Sequence, residues 1–350
     1  MINRFKNIYD KLSDKKSKNI FEKRLMYSLT GDESYLLELG KEYEEYVLKS
    51  DEWKTFYKKL KSIGEKIVLY SAGYWGRELL LHTKDISWKY VVDKKPNREM
   101  FCGIPLICTD KFLEFGKDYT IVISSRVYYE EICSELIDKG VSEANIIDGA
   151  ILFDMSEGKQ YFDLLELPHD VNGEVFADVG CYDGLSAFFF DKWCDGKGFS
   201  YCFEPDETNI DRIHRVLKNK GISNYELIDK GVWSSGGRLG FVSTGNSVSH
   251  ISDNRNEDND NFIEVVALDD VLLDKKVTFI KMDIEGAELE ALEGAQKIIS
   301  HQKPKLAICV YHKPQDIWEI PELILEYNSE YKFYIRHYSY KDNETILYAF

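Results

Sequence analysis

The sequence predicts an α/β protein: two successive strand–helix units behind a helical N-terminal segment. Three observations carry this. Short apolar runs alternate with amphipathic stretches from Lys66 onward, and the alternation restarts near Val175. The first strand of each series runs into a glycine turn, Ser71-Ala-Gly73-Tyr-Trp-Gly76 and Asp178-Val-Gly180-Cys-Tyr-Asp-Gly184. The last two apolar runs, Lys332–Tyr338 and Glu344–Ala349, flank Lys341-Asp-Asn343 and read as a hairpin, which gives the second sheet an antiparallel edge.

Size and charge bound the function. A chain of 350 residues exceeds one ordinary core, so two domains are expected. The net charge of −16 disfavours broad contact with a nucleic-acid backbone. Residues 1–24 carry eight Lys/Arg against three Asp/Glu; they read as a solvated helix face, with a docking or membrane-surface role as the rival. No apolar run has the length of a membrane span, and the first residues lack the apolar core of a signal peptide, so a cytoplasmic protein is expected. The seven cysteines form no C-x-x-C pair and read as reduced, buried thiols, with no disulfide framework and no zinc site.

Residues 1–64 read as a helical segment, through the spacing of Tyr43, Tyr46, Val47, Trp53, Phe56, Tyr57 and Leu60. Residues 65–150 read as a small α/β domain with strands at Lys66–Ser71, Lys89–Val92, Thr120–Ser124 and Asn145–Asp148, and helices at Gly73–Leu81 and Tyr128–Lys139. Residues 151–172 read as a connector with a helix over Gly158–Leu165. Residues 173–350 form the second domain. Its strands are Val175–Asp178, Ser200–Glu204, Tyr225–Ile228, Val277–Asp283 and Lys305–Tyr311; its helices are Gly184–Trp193, Glu207–Asn219, Ala287–Ser300 and Gln315–Tyr327. The polar stretch 244–261 reads as a mobile loop, with Arg238–Ser243 and Phe262–Ala267 pairing beneath it.

The second turn carries the chemistry. A strand entering a helix exposes backbone N–H groups, and glycines such as Gly180 and Gly184 let a ligand come close. An acid, Asp178, stands where a dinucleotide site has its first glycine. It would repel a phosphate and attract an amino group. Glu204 ends the next strand, where a carboxylate accepts ribose hydroxyls. A nucleoside joined to a cationic amino acid is S-adenosylmethionine. The segment after the third strand, with Asp229 and Val232, is expected to hold the adenine. Asp283, Glu285 and His312 end neighbouring strands at the same edge. His312 is the first candidate for a general base and Asp283 the second, with Glu285 and His312 facing the acceptor. A carboxylate–His pair could instead hold a divalent cation, but no metal ligands are assigned.

Phe279-Ile-Lys-Met-Asp283-Ile-Glu285-Gly286-Ala-Glu288-Leu-Glu-Ala-Leu-Glu-Gly294-Ala295 resembles the signature of the FkbM family of S-adenosylmethionine-dependent methyltransferases. Val265-Val-Ala-Leu-Asp269-Asp270, the Asp178 turn and Glu204-Pro205 resemble the same family, over about residues 173–350. Two departures are mild: Cys181-Tyr182-Asp183 fills the turn where many members have Ala and Asn, and Met282 stands where Ile or Val is common. The resemblance implies a class I methyltransferase sheet of Rossmann-like type and O-methylation of a sugar, glycan or similar small polar acceptor. The first glycine turn, with Asp93 ending the next strand, resembles small Rossmann-like domains of sugar-modifying and CoA-binding proteins. Two rivals stand: an NAD- or nucleotide-sugar-dependent carbohydrate-modifying enzyme working from that turn, and a non-catalytic nucleotide-binding protein. The acceptor's identity, O- against N-methylation and homo-oligomer formation stay open.

Overall fold

In a computed structural model, which describes residues 2–170, 173–242, 250–251 and 262–350, the N-terminal segment forms four helices. They are α1 (Ile2–Lys11), α2 (Lys15–Thr30), α3 (Ser34–Lys49) and α4 (Asp51–Lys61). Their ends follow capping chemistry: Asp14 accepts from the Ser17 N–H at 2.6 Å, Gly31 closes α2 at φ +71°, and Ser50 accepts from the Trp53 N–H at 3.1 Å. The chain divides into two compact units, Met1–Tyr43 with Gln160–Phe350, and Glu44–Lys159. The helical stretch expected over 1–64 is therefore shared between them. Amphipathic spacing shows that a helix buries a face but not which sheet the face covers.

The smaller unit continues with β1 (Ile67–Tyr70), α5 (Tyr74–His82), β2 (Tyr90–Asp93), β3 (Met100–Phe101), β4 (Ile104–Cys108), α6 (Thr109–Leu113), β5 (Thr120–Ile123), α7 (Tyr129–Asp138), β6 (Ile146–Asp148) and α8 (Ile151–Met155). Its sheet has the order β3-β4-β2-β1-β5-β6, parallel except for the β3–β4 pair. The four expected strands are present. The hairpin around Gly103 is an addition. The helix expected over Gly158–Leu165 is not formed: the helix lies earlier, at Ile151–Met155, and residues 156–162 are turns. Tyr161 sits there at φ +75°, outside the helical range.

The larger unit carries β7 (Val175–Val179), α9 (Leu185–Trp193), β8 (Phe199–Phe203), α10 (Glu207–Asn219), β9 (Tyr225–Ile228), β10 (Gly231–Val232), β11 (Gly237–Val242), β12 (His250–Ile251), β13 (Phe262–Val266), α11 (Leu268–Leu272), β14 (Phe279–Met282), α12 (Glu288–Glu293), α13 (Gln296–Gln302), β15 (Lys305–Cys309), α14 (Asp316–Tyr327), β16 (Phe333–His337) and β17 (Thr345–Ala349). The main sheet runs β16-β17-β15-β14-β7-β8-β9. Five strands are parallel; β17 is antiparallel to both β15 and β16. This is the α/β sheet with an antiparallel terminal hairpin that the sequence predicts, and it is the class I methyltransferase order.

Arg238–Glu264 and Leu239–Ile263 pair antiparallel, as expected for the strands flanking the polar loop, whose residues 244–249 and 252–261 lie outside the described residues. The helix expected over Ala287–Ser300 is broken at Gly294-Ala295. A Cβ at Gly294 would stand 2.1 Å from the Trp233 carbonyl oxygen, so this point is fixed by a close backbone approach. Asp269 then caps α13 by accepting from Lys297 and Ile298 N–H at 2.8 and 2.9 Å.

The basic N-terminal helices are engaged by this unit. Ser17 Oγ accepts from the Ile335 N–H at 2.8 Å, the Ser13 N–H donates to Phe333 O at 2.9 Å, and Arg336 Nη2 meets Asp14 Oδ2 at 2.6 Å. These contacts occupy the free side of β16, which would otherwise be an exposed sheet edge. Ile8, Leu12, Ile20 and Phe21 join one core with Phe333, Ile335 and Leu347. All seven cysteines are free thiols, but the expected burial holds only for Cys181, Cys194, Cys202 and Cys309: Cys102 is exposed at the β3–β4 turn, and Cys108 and Cys133 are half-buried.

Candidate active site

In the main sheet the chain order reverses between β7 and β14. Ligands of open α/β sheets bind beyond the carboxyl ends of the strands at such a reversal. The parallel register puts Asp178 of β7 beside Lys281 of β14 and Cys202 of β8. Asp178 is fully buried, and its Oδ1 lies 3.1 Å from Lys281 Nζ. Ser186 Oγ donates to its Oδ2. Lys281 also donates to the Gly180 carbonyl at 2.5 Å. Burial alone would lower the Lys281 pKa; Asp178 and Asp283 overturn this and hold it above its ordinary value. The carboxylate that the sequence assigns to a ligand amino group is thus neutralised by the protein's own ammonium.

The turn after β7 is held from within. Gly180 and Gly184 stand at φ +79° and +82°. A Cβ at Gly180 would fall 2.1 Å from the Asp283 carbonyl oxygen, so that glycine is required by the neighbouring loop's backbone. The N–H groups of Gly180 and Cys181 donate to Phe203 O at 3.1 and 3.2 Å. Glu204 is buried just beyond β8. Its Oε2 accepts from the Tyr182 N–H at 3.1 Å; its Oε1 accepts from the Asp206 N–H at 3.0 Å and from Asn209 Nδ2 at 3.2 Å. Burial pushes its pKa up to about 6 despite these donors. Farther along the edge, Asp229 is exposed, while Val232 is buried in the core.

Across the switch point, β14, β15 and the start of β17 build a second cluster. Asp283 Oδ2 accepts from Tyr161 Oη at 3.0 Å and Oδ1 from Tyr311 Oη at 3.2 Å. His312 Nε2 lies 3.4 Å from Asp283 Oδ1 and 3.7 Å from Glu285 Oε2, and Nδ1 lies 2.9 Å from Glu288 Oε1. Burial by itself would lower the His312 pKa; Glu288, Asp283 and Glu285 overturn it and hold it at about 10. Burial would likewise raise Asp283, but Lys281 and His312 outweigh it and keep the carboxyl below its usual range. At neutral pH the cluster is therefore an imidazolium among carboxylates. That is a poor starting point for the base role the sequence gives His312.

The structure brings Asp283, Glu285 and His312 together as expected, and sets Asp178, Gly180, Gly184 and Glu204 along the same sheet edge. Sequence reasoning missed Tyr161 and Glu344. Tyr161 comes from the connector. Glu344, at φ +57°, opens β17 at the carboxyl end of β15, near Tyr311 Oη at 3.5 Å. Burial, with Asp283 nearby, pushes its pKa up to about 7. A long-range partner across the hairpin leaves no local signal. In the smaller unit, Asp93 Oδ2 accepts from the Ala72 N–H at 2.9 Å and Oδ1 from the Lys95 N–H at 3.1 Å. A Cβ at Gly76 would stand 2.3 Å from Ser71 O, so that turn is also closed by its own backbone.

No curated protein matches the chain. Among solved structures, a methyltransferase FkbM from Methylobacillus flagellatus KT aligns at 22% identity and a TM-score of 0.47, covering 84% of this chain and 93% of that one. A fibrillarin from Aeropyrum pernix, solved with natively bound S-adenosyl-L-methionine, aligns at 11% identity and a TM-score of 0.37, covering 57% and 74%. A precorrin-6y C5,15-methyltransferase from Geobacter metallireducens GS-15 aligns at 12% identity and a TM-score of 0.34, covering 58% and 86%. No helix among the described residues is long and apolar enough to cross a membrane. The methyltransferase FkbM domain model matches from Asp178 to Lys341, the span holding the glycine turn, Glu204, Asp283 and His312, and residues 178–341 are accordingly an FkbM methyltransferase domain.

Proposed function

We propose that the chain is an S-adenosylmethionine-dependent methyltransferase acting on a hydroxyl of a sugar, glycan or similar small polar acceptor. The observation that carries this is the placement of the 180–184 turn, Glu204, Asp283 and His312 along one carboxyl edge, on either side of the β7–β14 reversal. The residues present fit the cofactor. Glu204 is a buried carboxylate fixed by three donors, and its Oε2, with one donor, keeps a lone pair for a ribose hydroxyl. The turn with Gly180 and Gly184 would hold the amino-acid end, and the segment from Asp229 to Val232 the adenine. Asp178 anchors this arrangement through Lys281. When bound, S-adenosylmethionine supplies a methyl group on a positively charged sulfur, which keeps the electron pair of the broken S–C bond.

On the acceptor side, Asp283, Glu285, Tyr161, Tyr311 and Glu344 offer carboxylates and phenols suited to orienting a polyol. The hydroxyl proton goes to Asp283, which is ionised at neutral pH. An oxygen gaining a methyl group becomes strongly acidic, so a weak base suffices once the new O–C bond is forming. His312, already cationic, orients the carboxylates. The preference for carbohydrate rests on the family resemblance.

Calorimetry with S-adenosylhomocysteine tests the cofactor half: one saturable site per chain and a higher melting temperature are expected. Absence of binding, with NAD or a nucleotide sugar binding instead, would overturn the proposal. Transfer of a labelled methyl group to a panel of sugars against a panel of amines tests the acceptor half; label on amines alone would overturn O-methylation.

A further inference from the structure

Two thiols that the proposed reaction does not use meet beneath the candidate cofactor turn. Cys202 lies on β8, opposite Asp178 in the β7–β8 register. Cys181 follows Asp178 by three residues, where the chain leaves β7. Gly180 at φ +79° and Tyr182 at φ +49° turn that segment back over β8, and the Gly180 and Cys181 N–H groups both donate to Phe203 O. The two sulfurs and the Asp178 carboxylate consequently lie within 4.8 Å of one another. Both cysteines are buried, at 2% and 0% exposure, and join Ala187, Ile213 and Leu217 in one small apolar cluster. Packing accounts for a single buried sulfur. Two neighbouring sulfurs, one on a strand and one on a turn, can also react with each other.

We propose that Cys181 and Cys202 are a redox pair that closes to a disulfide and thereby switches the candidate cofactor turn. A disulfide needs sulfurs about 2.05 Å apart and β-carbons about 3.5–4.5 Å apart. Thiols within 4.8 Å of each other reach this by side-chain rotation and a small shift of one backbone. β8 is held on both sides, by β7 and β9, so the turn is the partner that moves. The bonds displaced are those to Phe203 O and the Tyr182 N–H bond to Glu204 Oε2 at 3.1 Å. The bridge therefore disturbs the 180–184 turn and the carboxylate assigned to the ribose together.

The chemistry is thiol–disulfide exchange with a small disulfide such as oxidised glutathione. One cysteine loses its proton, and the thiolate attacks the oxidant, leaving a mixed disulfide and one reduced glutathione. The second thiolate attacks the protein-bound sulfur and releases the other glutathione. The two cysteines give up two electrons, one glutathione disulfide takes them, and the two protons end on the released thiols. Only a thiolate attacks. Burial, the Cys202 thiol, Asp178 and Glu204 push the Cys181 pKa well above its ordinary value, so the closed turn resists oxidation. The pair reacts from an opened turn, and a ligand held over residues 180–184 suppresses that opening. What the bridge switches rests on the proposed cofactor; its formation does not.

The test incubates the full chain with oxidised glutathione, with and without S-adenosylhomocysteine, and maps tryptic peptides by mass spectrometry. Lys192 and Lys197 separate the two cysteines, so the bridge appears as a cross-linked pair of peptides. Expected is a Cys181–Cys202 link that dithiothreitol reverses, that forms several-fold more slowly with S-adenosylhomocysteine present, and that weakens this ligand at least 10-fold in calorimetry. Cys202→Ala should keep the affinity of the reduced chain and lose the response to oxidant. Cys181→Ala should lose the response as well, and it reports even where the β8 variant fails to fold. Absence of the link under conditions that glutathionylate the exposed Cys102, or a linked form with unchanged affinity, would overturn the switch. The reduced chain is read separately: absence of S-adenosylhomocysteine binding there removes the methyltransferase reading, while the peptide map still decides whether the bridge forms.

Discussion

Lys281→Met is the sharpest probe of how the candidate cofactor turn is built. Lys281 and Asp178 are both buried and lie 3.1 Å apart. Removing one partner of a buried pair leaves a charge in a low-dielectric site, which costs about 3–5 kcal/mol. The penalty should therefore be about 3–5 kcal/mol at neutral pH. Asp178→Asn combined with Lys281→Met should recover much of it, with a coupling energy above about 2 kcal/mol. Hydrogen exchange of peptides covering Val175–Val179 and Phe279–Met282 reads this locally, which matters in a chain of two compact units. Lys281→Met should also weaken S-adenosylhomocysteine, since the ammonium holds the Gly180 carbonyl. A penalty below about 1 kcal/mol at pH 7, or a coupling energy near zero, would refute the claim that the pair is a tightly coupled buried unit.

Two further outcomes follow. Glu204→Ala should weaken S-adenosylhomocysteine by about 1.5–3 kcal/mol, or roughly 10- to 150-fold, and wild-type affinity in calorimetry would sink the ribose assignment; in the unaltered chain the affinity should fall as pH drops through about 6, where Glu204 takes up a proton. Burial, with Arg24 nearby, pushes the His337 pKa down to about 3, so the folded protein keeps it neutral while the unfolded chain protonates it near 6.5; stability should be lost as pH falls below 6.5, by about 2 kcal/mol at pH 5, and a His337→Gln variant with an undiminished slope in urea unfolding would contradict this.

The elements that hold the site were legible because their signals are local. Val175–Val179, Glu207–Asn219 and the hairpin strands each carry periodicity and turn residues within their own stretch. The failures share a cause. The helix expected over Gly158–Leu165 has suitable spacing, but the segment is held by distant partners: the Tyr161 N–H donates to Tyr348 Oη at 3.1 Å, and Gln160 Nε2 donates to Glu344. The break at Gly294 answers to Trp233, 61 positions away, not to any neighbour in the helix. Tertiary contacts override propensity in both cases.

The candidate site residues divide along the same line. Position along the chain correctly brought Asp178, Glu204, Asp283 and His312 to one sheet edge, because strand ends are a consequence of topology. It did not reveal their charge states, because those depend on which groups meet. Asp178 meets Lys281 from another strand, and without Glu288, Asp283 and Glu285 burial would push the His312 pKa below its ordinary value. Each encounter joins residues on different segments, so each alters the chemistry assigned from sequence without altering the place. Gly180 has a second role that its own stretch does not show: its missing Cβ admits the Asp283 carbonyl, which ties the 180–184 turn to the loop that carries Asp283 and Glu285. That contact is a direct mechanical link between the two halves of the site. A side chain at position 180 would push on Asp283 before it reached any ligand.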